Sequence, residues 1–471
     1  MSFLKRFQQS LESLSGESLI QKSLASARPT SEHLSPDEPV YVVAYSGGVD
    51  SHVLLHCCKQ LDIRVRAVHV HHGLQSVADY WVTHCQQICQ AMEVALDVIY
   101  VDASPQRGQS PEEAARTARY RALKENMNAG ECLLTAQHRD DQAETMLLQL
   151  LRTASAAGLA AMPASRVFGD GLHIRPLLGF SRSDIEAFAD EQQLHWIEDP
   201  SNNDISFDRN YLRTTIMPLL QERWPEVVSQ MVTVAGLQSN NLRVLDDMAA
   251  IDLANVSAVT KPRFQLFSYD IISMLSLERM KQLSSPRLLN LLRYWITKTV
   301  AAPTRNLLSE IEKGLIYSQD DANPLIEFSG LQFRKYQDAL YLLRARQIDA
   351  DSYSNSTVTS WQPSSVPMAN IAGLQLRVIK HLAGGIKPSL IDKEFTLRFR
   401  QGGERFHPFN RDRSQSLKKL LQEAGVPPWE RDAIPLLYHG DELVAVIGYW
   451  VAKACSAEPD ETGWGIEVIS S

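Results

Sequence analysis

Cysteine is scarce in this chain of 471 residues: Cys57, Cys58, Cys85, Cys89, Cys132 and Cys455 are all it has. That is too few for a disulfide framework in a protein of this size, and five of the six fall in the first third. No Cys-x-x-Cys pair occurs. Cys85 and Cys89 are one helical turn apart beside His84, but no further ligands follow at finger-like spacing, so buried helical thiols are the preferred reading. Long apolar runs are also missing, and none reaches the roughly 18 residues needed to span a bilayer. Ala25-Ser26-Ala27 resembles a signal-peptidase site, yet Gln21 and Lys22 break the stretch before it and exclude an apolar core. Residues 1–37 therefore read as a polar or helical leader on a cytoplasmic protein with no membrane association. Positive charge is in deficit as well, with 47 Lys and Arg against 55 Asp and Glu, a net charge of −8. This argues against indiscriminate nucleic-acid binding and leaves room for a local basic face that binds RNA. Bulk disorder is excluded by 44% hydrophobic and 22% charged residues.

Length alone suggests about three domains. In the first third, short apolar runs alternate with helical patterns. Val40 to Tyr45, Val65 to Val70, Ala95 to Val101 and Cys132 to Ala136 read as strands. Ser51 to Leu61, Ala78 to Glu93, Pro111 to Asn126 and Asp140 to Leu151 read as helices. Near-continuous apolar strands alternating with helices imply an α/β unit with a parallel sheet covered on both faces. Ligands on such sheets bind outside the carboxyl ends of the strands. The first domain is set at residues 38–222. From Arg223 the pattern turns helical, with Val227, Met231, Val234, Leu242 and Leu245 at helical spacing. Helical patterns continue to about Lys313, and Leu331 to Arg344 resembles a hairpin, giving a mainly helical domain at 223–348. Asp349 to Pro367 is rich in Ser, Thr, Asn and Pro and reads as a linker. Residues 368–471 are expected to form a small α+β domain. There Phe395, Leu397 and Phe399 alternate with Thr396, Arg398 and Arg400, a half-buried strand with two arginines on its open face.

The chemistry-bearing residues gather in the strand-to-helix loops. Ser46-Gly47-Gly48-Val49-Asp50-Ser51 follows the first strand and opens the first helix. Two glycines let the backbone approach an anion, the serines add donors, and the helix N-terminus supplies free N–H groups. Asp50 would repel phosphate unless a cation joins them, which implies Mg²⁺. A tight turn with a capping serine is the plainer alternative. Thr135 to Thr145, reading Thr-Ala-Gln-His-Arg-Asp-Asp-Gln-Ala-Glu-Thr, ends the fourth strand and starts its helix. Asp141 and Glu144 share a face and could hold Mg²⁺ or a cationic substrate. Charges that merely complement the helix dipole are the alternative. Arg116 and Arg119 likewise share a helix face, next to Tyr120.

The glycine loop resembles that of the PP-loop (N-type) ATPases, which release pyrophosphate and leave an adenylate. No Gly-Lys-Ser/Thr follows, so it is not a Walker loop. Further motifs resemble the tRNA(Ile)-lysidine synthetases in particular. They are His69-Val70-His71-His72-Gly73-Leu74, Glu112 to Tyr120, Thr135 to Thr145, Gly158 to Met162 and Arg175-Pro176-Leu177-Leu178. They continue with Trp196 to Asn202, Arg209-Asn210-Tyr211-Leu212-Arg213 and Pro218-Leu219-Leu220. In the last domain Leu417-Lys418-Lys419-Leu420 and Gly425 to Trp429 also match. Each is weak alone, and their order along the chain makes the set strong. The chain departs from the family at Arg152-Thr153-Ala154-Ser155, where a glycine-rich step is usual, and at Gln137, where many members carry a second histidine.

The resemblance implies that ATP adenylates the carbonyl of the wobble cytidine in an isoleucine tRNA with anticodon CAU. The ε-amine of L-lysine then displaces AMP to give lysidine. It also implies roles: Ser46 to Ser51 on the phosphates, Asp50 toward Mg²⁺, Asp141 and Glu144 on lysine or metal, and Arg116 and Arg209 on substrate or adenylate. His138 would position a reacting group or cap its helix. A homodimer is compatible with all of this. A tRNA thiouridine synthase is the nearest alternative, and many of those depend on cysteines in a pair or as a nucleophile. A catalytically inactive tRNA-binding homologue is the other. In the last domain, Arg398 to Arg431 holds eight basic and four acidic residues. Arg398, Arg400, Lys418 and Lys419 are the expected tRNA contacts, with Phe406, Phe409 and Trp429 as aromatic surfaces used for stacking or for packing.

Overall fold

A computed structural model describes residues 1–16, 41–71, 78–105, 110–152, 155–257, 266–319, 324–346, 358–380, 385–458 and 460–469. The chain divides into two compact units, Met1–Val244 and Leu245–Ser471.

The first unit is built on a six-stranded sheet. Its strands are β1 (Tyr41–Ala44), β2 (Val65–His71), β3 (Leu96–Tyr100), β4 (Cys132–Leu134), β5 (Ser165–Phe168) and β6 (Gly171–Ile174). They lie in the order β3-β2-β1-β4-β6-β5, parallel throughout except for the β5–β6 hairpin. Val42, Val43, Leu133 and Leu134 are all 0% exposed, as a sheet covered on both faces requires. The crossover helices are α2 (Val49–Gln60), α3 (Ala78–Ala91), α4 (Pro111–Asn126) and α5 (Arg139–Leu151). All four strands and four helices stand where the hydrophobic pattern predicts, with ends moved by a few residues. Strand order reverses between β1 and β4, and this is the point where the loops after both strands splay apart and leave a crevice.

The leader contributes to this core. Helix α1 (Phe3–Ser15) is capped by the Ser2 side chain and buries Phe7 and Leu11. They join Val43, Leu54, Cys57 and Phe188 in one apolar cluster. The unit continues through α6 (Arg182–Glu191) to a helix over 208–223, labelled α7. In α7 an α-helical turn, Asp208–Tyr211, passes through a π-helical stretch, Leu212–Ile216, into Met217–Arg223.

A 30-residue helix, α8 (Val227–Val256), runs across the unit boundary. The middle of the chain has the expected helices α9 (Ser285–Thr297) and α10 (Arg305–Ile311). It also has a four-stranded antiparallel sheet in the order β7-β10-β9-β8, from β7 (Tyr269–Ser276), β8 (Leu325–Phe328), β9 (Leu331–Tyr336) and β10 (Ala339–Ala345). The expected hairpin is β9–β10. Strand β7 lies in a stretch read as helical. Its Ile271, Ile272, Met274 and Leu275 form an apolar run too short to separate strand from helix by periodicity, and pairing with β10 decides the matter.

The last part of the second unit holds strands β11 (Thr359–Trp361), β12 (Met368–Ile371), β13 (Leu374–Lys380) and β14 (Phe395–Arg398), and the short pair β15 (Arg405–Phe406) and β16 (Gln415–Ser416). Helix α11 (Leu417–Glu423) and strands β17 (Leu436–His439), β18 (Glu442–Val446), β19 (Trp450–Val451) and β20 (Trp464–Ile469) complete it. The expected linker is partly structure: Thr359–Trp361 pairs with Phe395–Leu397, and Trp361 is buried. Residues 349–357 of that linker lie outside the described residues.

Candidate active site

The loop after β1 is a built anion cradle. Gly48 caps α2, so Val49, Asp50 and Ser51 form its first turn with free N–H groups. Gly47 has φ +86°, and a Cβ there would meet Cys85 Sγ at 3.0 Å and Ile197 Cδ1 at 3.3 Å, so glycine is required on two counts. Ile197 N–H donates to Gly47 O at 3.0 Å and pins the loop from behind. Ser51 Oγ donates to Gly48 O at 3.0 Å and accepts from Ser46 N at 3.2 Å, with Ser46 Oγ 3.1 Å away. The two serines therefore hold the loop open as well as lining it. Val49 would take part through its backbone N–H alone. Its side chain is 3% exposed and belongs to the core, so only its backbone can face a ligand.

A cavity of about 380 Å³ opens in front of this loop, at the carboxyl ends of β1, β2 and β4. Ser46, Gly48, Asp50, Ser51, Asp141 and Arg116 all line it. The structure thus brings together residues spread over nearly a hundred positions of sequence. Arg116 sits over the Tyr120 ring, 5.0 Å from its centroid, and is an exposed residue of the cavity lining. A second cavity of about 350 Å³ adjoins, lined by His138, Asp140, Glu144, Arg182, Glu186 and Arg213 among others.

Asp50 lines the first, and its neighbours His138 and Arg182 line the second. Its Oδ2 accepts from Arg182 Nη1 at 2.7 Å, whereas its Oδ1 is buried and makes no hydrogen bond. Burial pushes this carboxyl above its ordinary value, against the pull of His138 and Arg182. A buried carboxylate oxygen without a hydrogen bond, on the first turn of the helix that the glycine loop opens, fits a hard cation. Mg²⁺ needs only one or two carboxylates when phosphates and waters complete its octahedron. Among the described residues there is no cluster of three or more His, Cys, Asp or Glu able to hold a metal unaided, so the nucleotide would have to supply the other ligands.

Asp141 and Glu144 are not open carboxylates. Glu144, 2% exposed, accepts from Arg213 Nε at 2.7 Å, Arg213 Nη2 at 2.9 Å and Arg209 Nε at 3.0 Å. Asp141 Oδ1 accepts from Arg213 Nη2 at 2.9 Å and Arg209 Nη2 at 3.2 Å. The guanidinium of Arg209, expected on substrate, is turned onto these acids. The π-helical stretch of α7 lies between α-helical segments of one helix whose two arginines reach one acidic face of α5, a use of such irregular turns common at functional sites. Asp141 is held below the usual carboxylate range despite its burial, because His138, Arg209 and Arg213 surround it.

His138 is the cap residue of α5 and is 3% exposed. Its Nε2 lies 3.4 Å from Asp141 Oδ2 and 3.9 Å from Asp50 Oδ1, and its Nδ1 is 3.6 Å from Asp140 Oδ2. Burial lowers its pKa, yet Asp140, Asp141 and Asp50 together raise it above the ordinary value. The imidazole thus lies among three carboxylates that favour its protonated form. Reading the sequence left out Arg182 and Arg213, whose roles depend on the meeting of α6 and α7 with α2 and α5. The i, i+4 spacing of Arg209 and Arg213 was the one available signal. All six cysteines are buried, and burial pushes their thiols up, which makes them poor nucleophiles. His72, Gly73 and Leu74, and the Thr153-Ala154 departure, lie outside the described residues.

The basic residues of the last domain divide. Lys418 and Lys419 are exposed on α11. Arg398 instead lies 3.5 Å over the Tyr438 ring, and Arg400, 11% exposed, pairs with Asp432 at 3.1 Å and Glu404 at 3.6 Å. The strand face that carries these two arginines is therefore covered by their own partners. Of the aromatics, Phe406 is buried and Trp429 packs edge-on to Tyr336 and Tyr341, which leaves Phe409 exposed.

Three family models match in chain order: a PP-loop domain at residues 20–220, a TilS substrate binding domain at 275–341 and a TilS substrate C-terminal domain at 395–468. The tRNA(Ile)-lysidine synthase of Coxiella burnetii is 38% identical over 434 residues, covering 91% of this chain and 93% of its own. That of Methylococcus capsulatus is 40% identical over 430 residues, covering 89% and 94%. That of Serratia proteamaculans is 39% identical, covering 90% and 94%. With a phosphate cradle, an acidic helix start and all three matched segments in place, the chain belongs to the tRNA(Ile)-lysidine synthase family.

Proposed function

We propose that this protein joins L-lysine to the wobble cytidine of an isoleucine tRNA with anticodon CAU, with ATP cleaved to AMP and pyrophosphate. One observation carries the reading: the glycine loop, Asp50 and the His138–Asp141 pair meet at two adjoining cavities, one suited to a nucleotide and one to an amino acid. ATP lies in the larger cavity, its terminal phosphates on the N–H groups of Gly48 to Ser51. Asp50 would hold Mg²⁺ brought with the nucleotide, which would supply neutralisation of the charge developing on the phosphates.

A cytosine carbonyl is a poor electrophile. Adenylation converts its oxygen into a leaving group, and an amine can then displace AMP. Lysine occupies the smaller cavity, where its ammonium group would take the place of a cation now paired with Asp140, Glu144 or Glu186. Its entry loosens the Arg209 and Arg213 contacts to Asp141 and Glu144, since two arginines already balance those acids. The ε-amine must lose a proton before attack, and a carboxylate of this group both orients it and accepts that proton. These substrates are those of the cytoplasm, and no helix among the described residues is long and apolar enough to cross a membrane. Buried, unreactive cysteines argue against a thiolase on the same scaffold.

The test is direct. Isoleucine tRNA incubated with the protein, ATP, Mg²⁺ and lysine is digested to nucleosides and examined by mass spectrometry. A cytidine gaining the mass of lysine less water is the expected product, and its absence with active tRNA and ATP present rejects the assignment.

A further inference from the structure

The carboxamide of Gln137 is held from behind by a chain of buried hydrogen bonds whose directions can be worked out. His173 is 0% exposed. Its Nδ1 faces Arg175 Nη2 and Arg166 Nε, both at 3.3 Å, and a guanidinium can only donate, so Nδ1 is the acceptor. Burial, with Arg175, Arg166 and Arg116 nearby, pushes this imidazole down to about 2, so it is neutral and its proton is on Nε2. That N–H donates to Thr135 Oγ1 at 2.7 Å. The Thr135 hydroxyl then has its own proton to give, and it donates to Gln137 Oε1. Arg175, 2% exposed and anchored to Pro163 O at 2.7 Å, donates from Nε to the same Oε1 at 3.1 Å. Two donors on Oε1 fix which end of the amide is oxygen. The Nε2 end, with two N–H donors and no partner among the described residues, is left to the cavity that Gln137 lines.

The sheet register says what it meets there. Val43 of β1 pairs with Leu134 of β4. Ser46, which opens the phosphate loop, and Gln137 are each three residues beyond that pair, and both line the cavity at the switch point. Beside a loop whose helix N-terminus would take the terminal phosphates, a further phosphoryl oxygen is the acceptor that an amide N–H in this cavity would meet. We infer that Gln137 Nε2 donates to a non-bridging oxygen of the ATP α-phosphate, and that Thr135, His173 and Arg175 are positioning residues that set its orientation. This rests on the adenylating function proposed above. In that step the cytidine oxygen forms a bond to the α-phosphorus while the bond to the pyrophosphate oxygen breaks, its electron pair leaving with pyrophosphate. Gln137 transfers no proton and stabilises charge on the phosphoryl oxygen.

The two α-thio diastereomers of ATP test this, because sulfur replaces one non-bridging oxygen at a time and is a weaker acceptor. Pyrophosphate release driven by tRNA is measured with each diastereomer for the wild type and for Gln137→Leu, Gln137→Glu, Gln137→His and Thr135→Val. Gln137→Leu is expected to lower kcat/KM for ATP on the order of a hundredfold and to collapse the diastereomer preference by about tenfold or more. Gln137→Glu should be worse, since it presents an anionic oxygen. Gln137→His should restore the preference, because an imidazole accepting from Thr135 on one nitrogen offers N–H on the other. Thr135→Val should reduce the preference partly. A Gln137→Leu variant that keeps the wild-type diastereomer ratio, with its thermal midpoint and tRNA affinity intact, overturns the inference. Absence of tRNA-driven pyrophosphate release by the wild type overturns the adenylation reading, and this inference with it.

Discussion

Asp50 concentrates the conflict that the site is built around. A carboxylate beside a phosphate cradle is repulsive, and burial adds to the cost of its charge. Arg182 offsets part of this through Oδ2, and Oδ1 makes no hydrogen bond, with His138 Nε2 3.9 Å away. Asp50→Asn is expected to lower tRNA-dependent ATP–pyrophosphate exchange by about 10²-fold or more, since an amide cannot anchor Mg²⁺ comparably. Binding of tRNA, measured by filter retention, should change little, because Asp50 faces the nucleotide cavity. Exchange at the wild-type rate would remove Asp50 from the mechanism. The sequence made Asp50 visible by its place in a glycine loop. It could not show Arg182, which is 132 positions away and reaches Asp50 only when α6 packs beside α2.

At the scale of the element, α1 and the Phe267–Glu430 contact show what packing adds to pattern. Helix α1 looked like a leader, because an amphipathic stretch of 13 residues does not announce its partner. Phe7 is 0% exposed and sits against the sheet, so Phe7→Ala is expected to destabilise the first unit by about 3–5 kcal/mol. Chemical denaturation would show a lower midpoint, and an unchanged midpoint would mean that α1 is not seated. In the second unit, Glu430 is 0% exposed and accepts from Phe267 N–H and from Ser268 N–H, the latter at 2.8 Å. Phe267 buries its ring in the apolar cluster of the last domain. Burial raises the Glu430 carboxyl from 4.5 to about 7, against the pull of the two backbone donors, Arg346 and Arg334. With a raised folded-state pKa, the folded protein binds the extra proton between about 4.5 and 7, so this group's contribution is full at low pH and is lost as pH rises through that window. The loss is on the order of 3 kcal/mol. Glu430→Gln, which mimics the protonated acid, should match the wild type near pH 5 and exceed it near pH 8 in denaturant unfolding. Parallel pH profiles for the two proteins would refute this.

For the whole molecule, the question is how a chain of net charge −8 holds RNA. A basic count over Arg398 to Arg431 does not distinguish cations that are free from those already paired. Arg398 and Arg400 are engaged with Tyr438, Asp432 and Glu404, whereas Lys418 and Lys419 project from α11, Lys419 held only by an exposed pair with Glu423 at 3.9 Å. Replacing both lysines by Ala is therefore expected to weaken tRNA binding and flatten its salt dependence by roughly two counterions, with no loss of stability. Replacing Arg398 and Arg400 should lower the thermal midpoint as well. A double-lysine variant with unaltered affinity and salt slope would mean that α11 does not touch tRNA.

Alternating apolar runs and helical spacing determined the parallel sheet by themselves, because a strand buried on both faces and a helix buried on one leave different periods in the chain. The glycine loop was equally legible, since a close backbone approach to an anion admits few residues and needs them adjacent. The order of motifs along the chain identified the family. Tertiary structure alone decided which charges are free and which are spent: Arg209 and Arg213 on Asp141 and Glu144, Arg400 on Asp432, and His138 among three carboxylates. It also decided the strand over Tyr269–Ser276 and the seating of α1. Pairing of side chains from distant segments depends on distance in space, and a one-dimensional pattern records only distance along the chain.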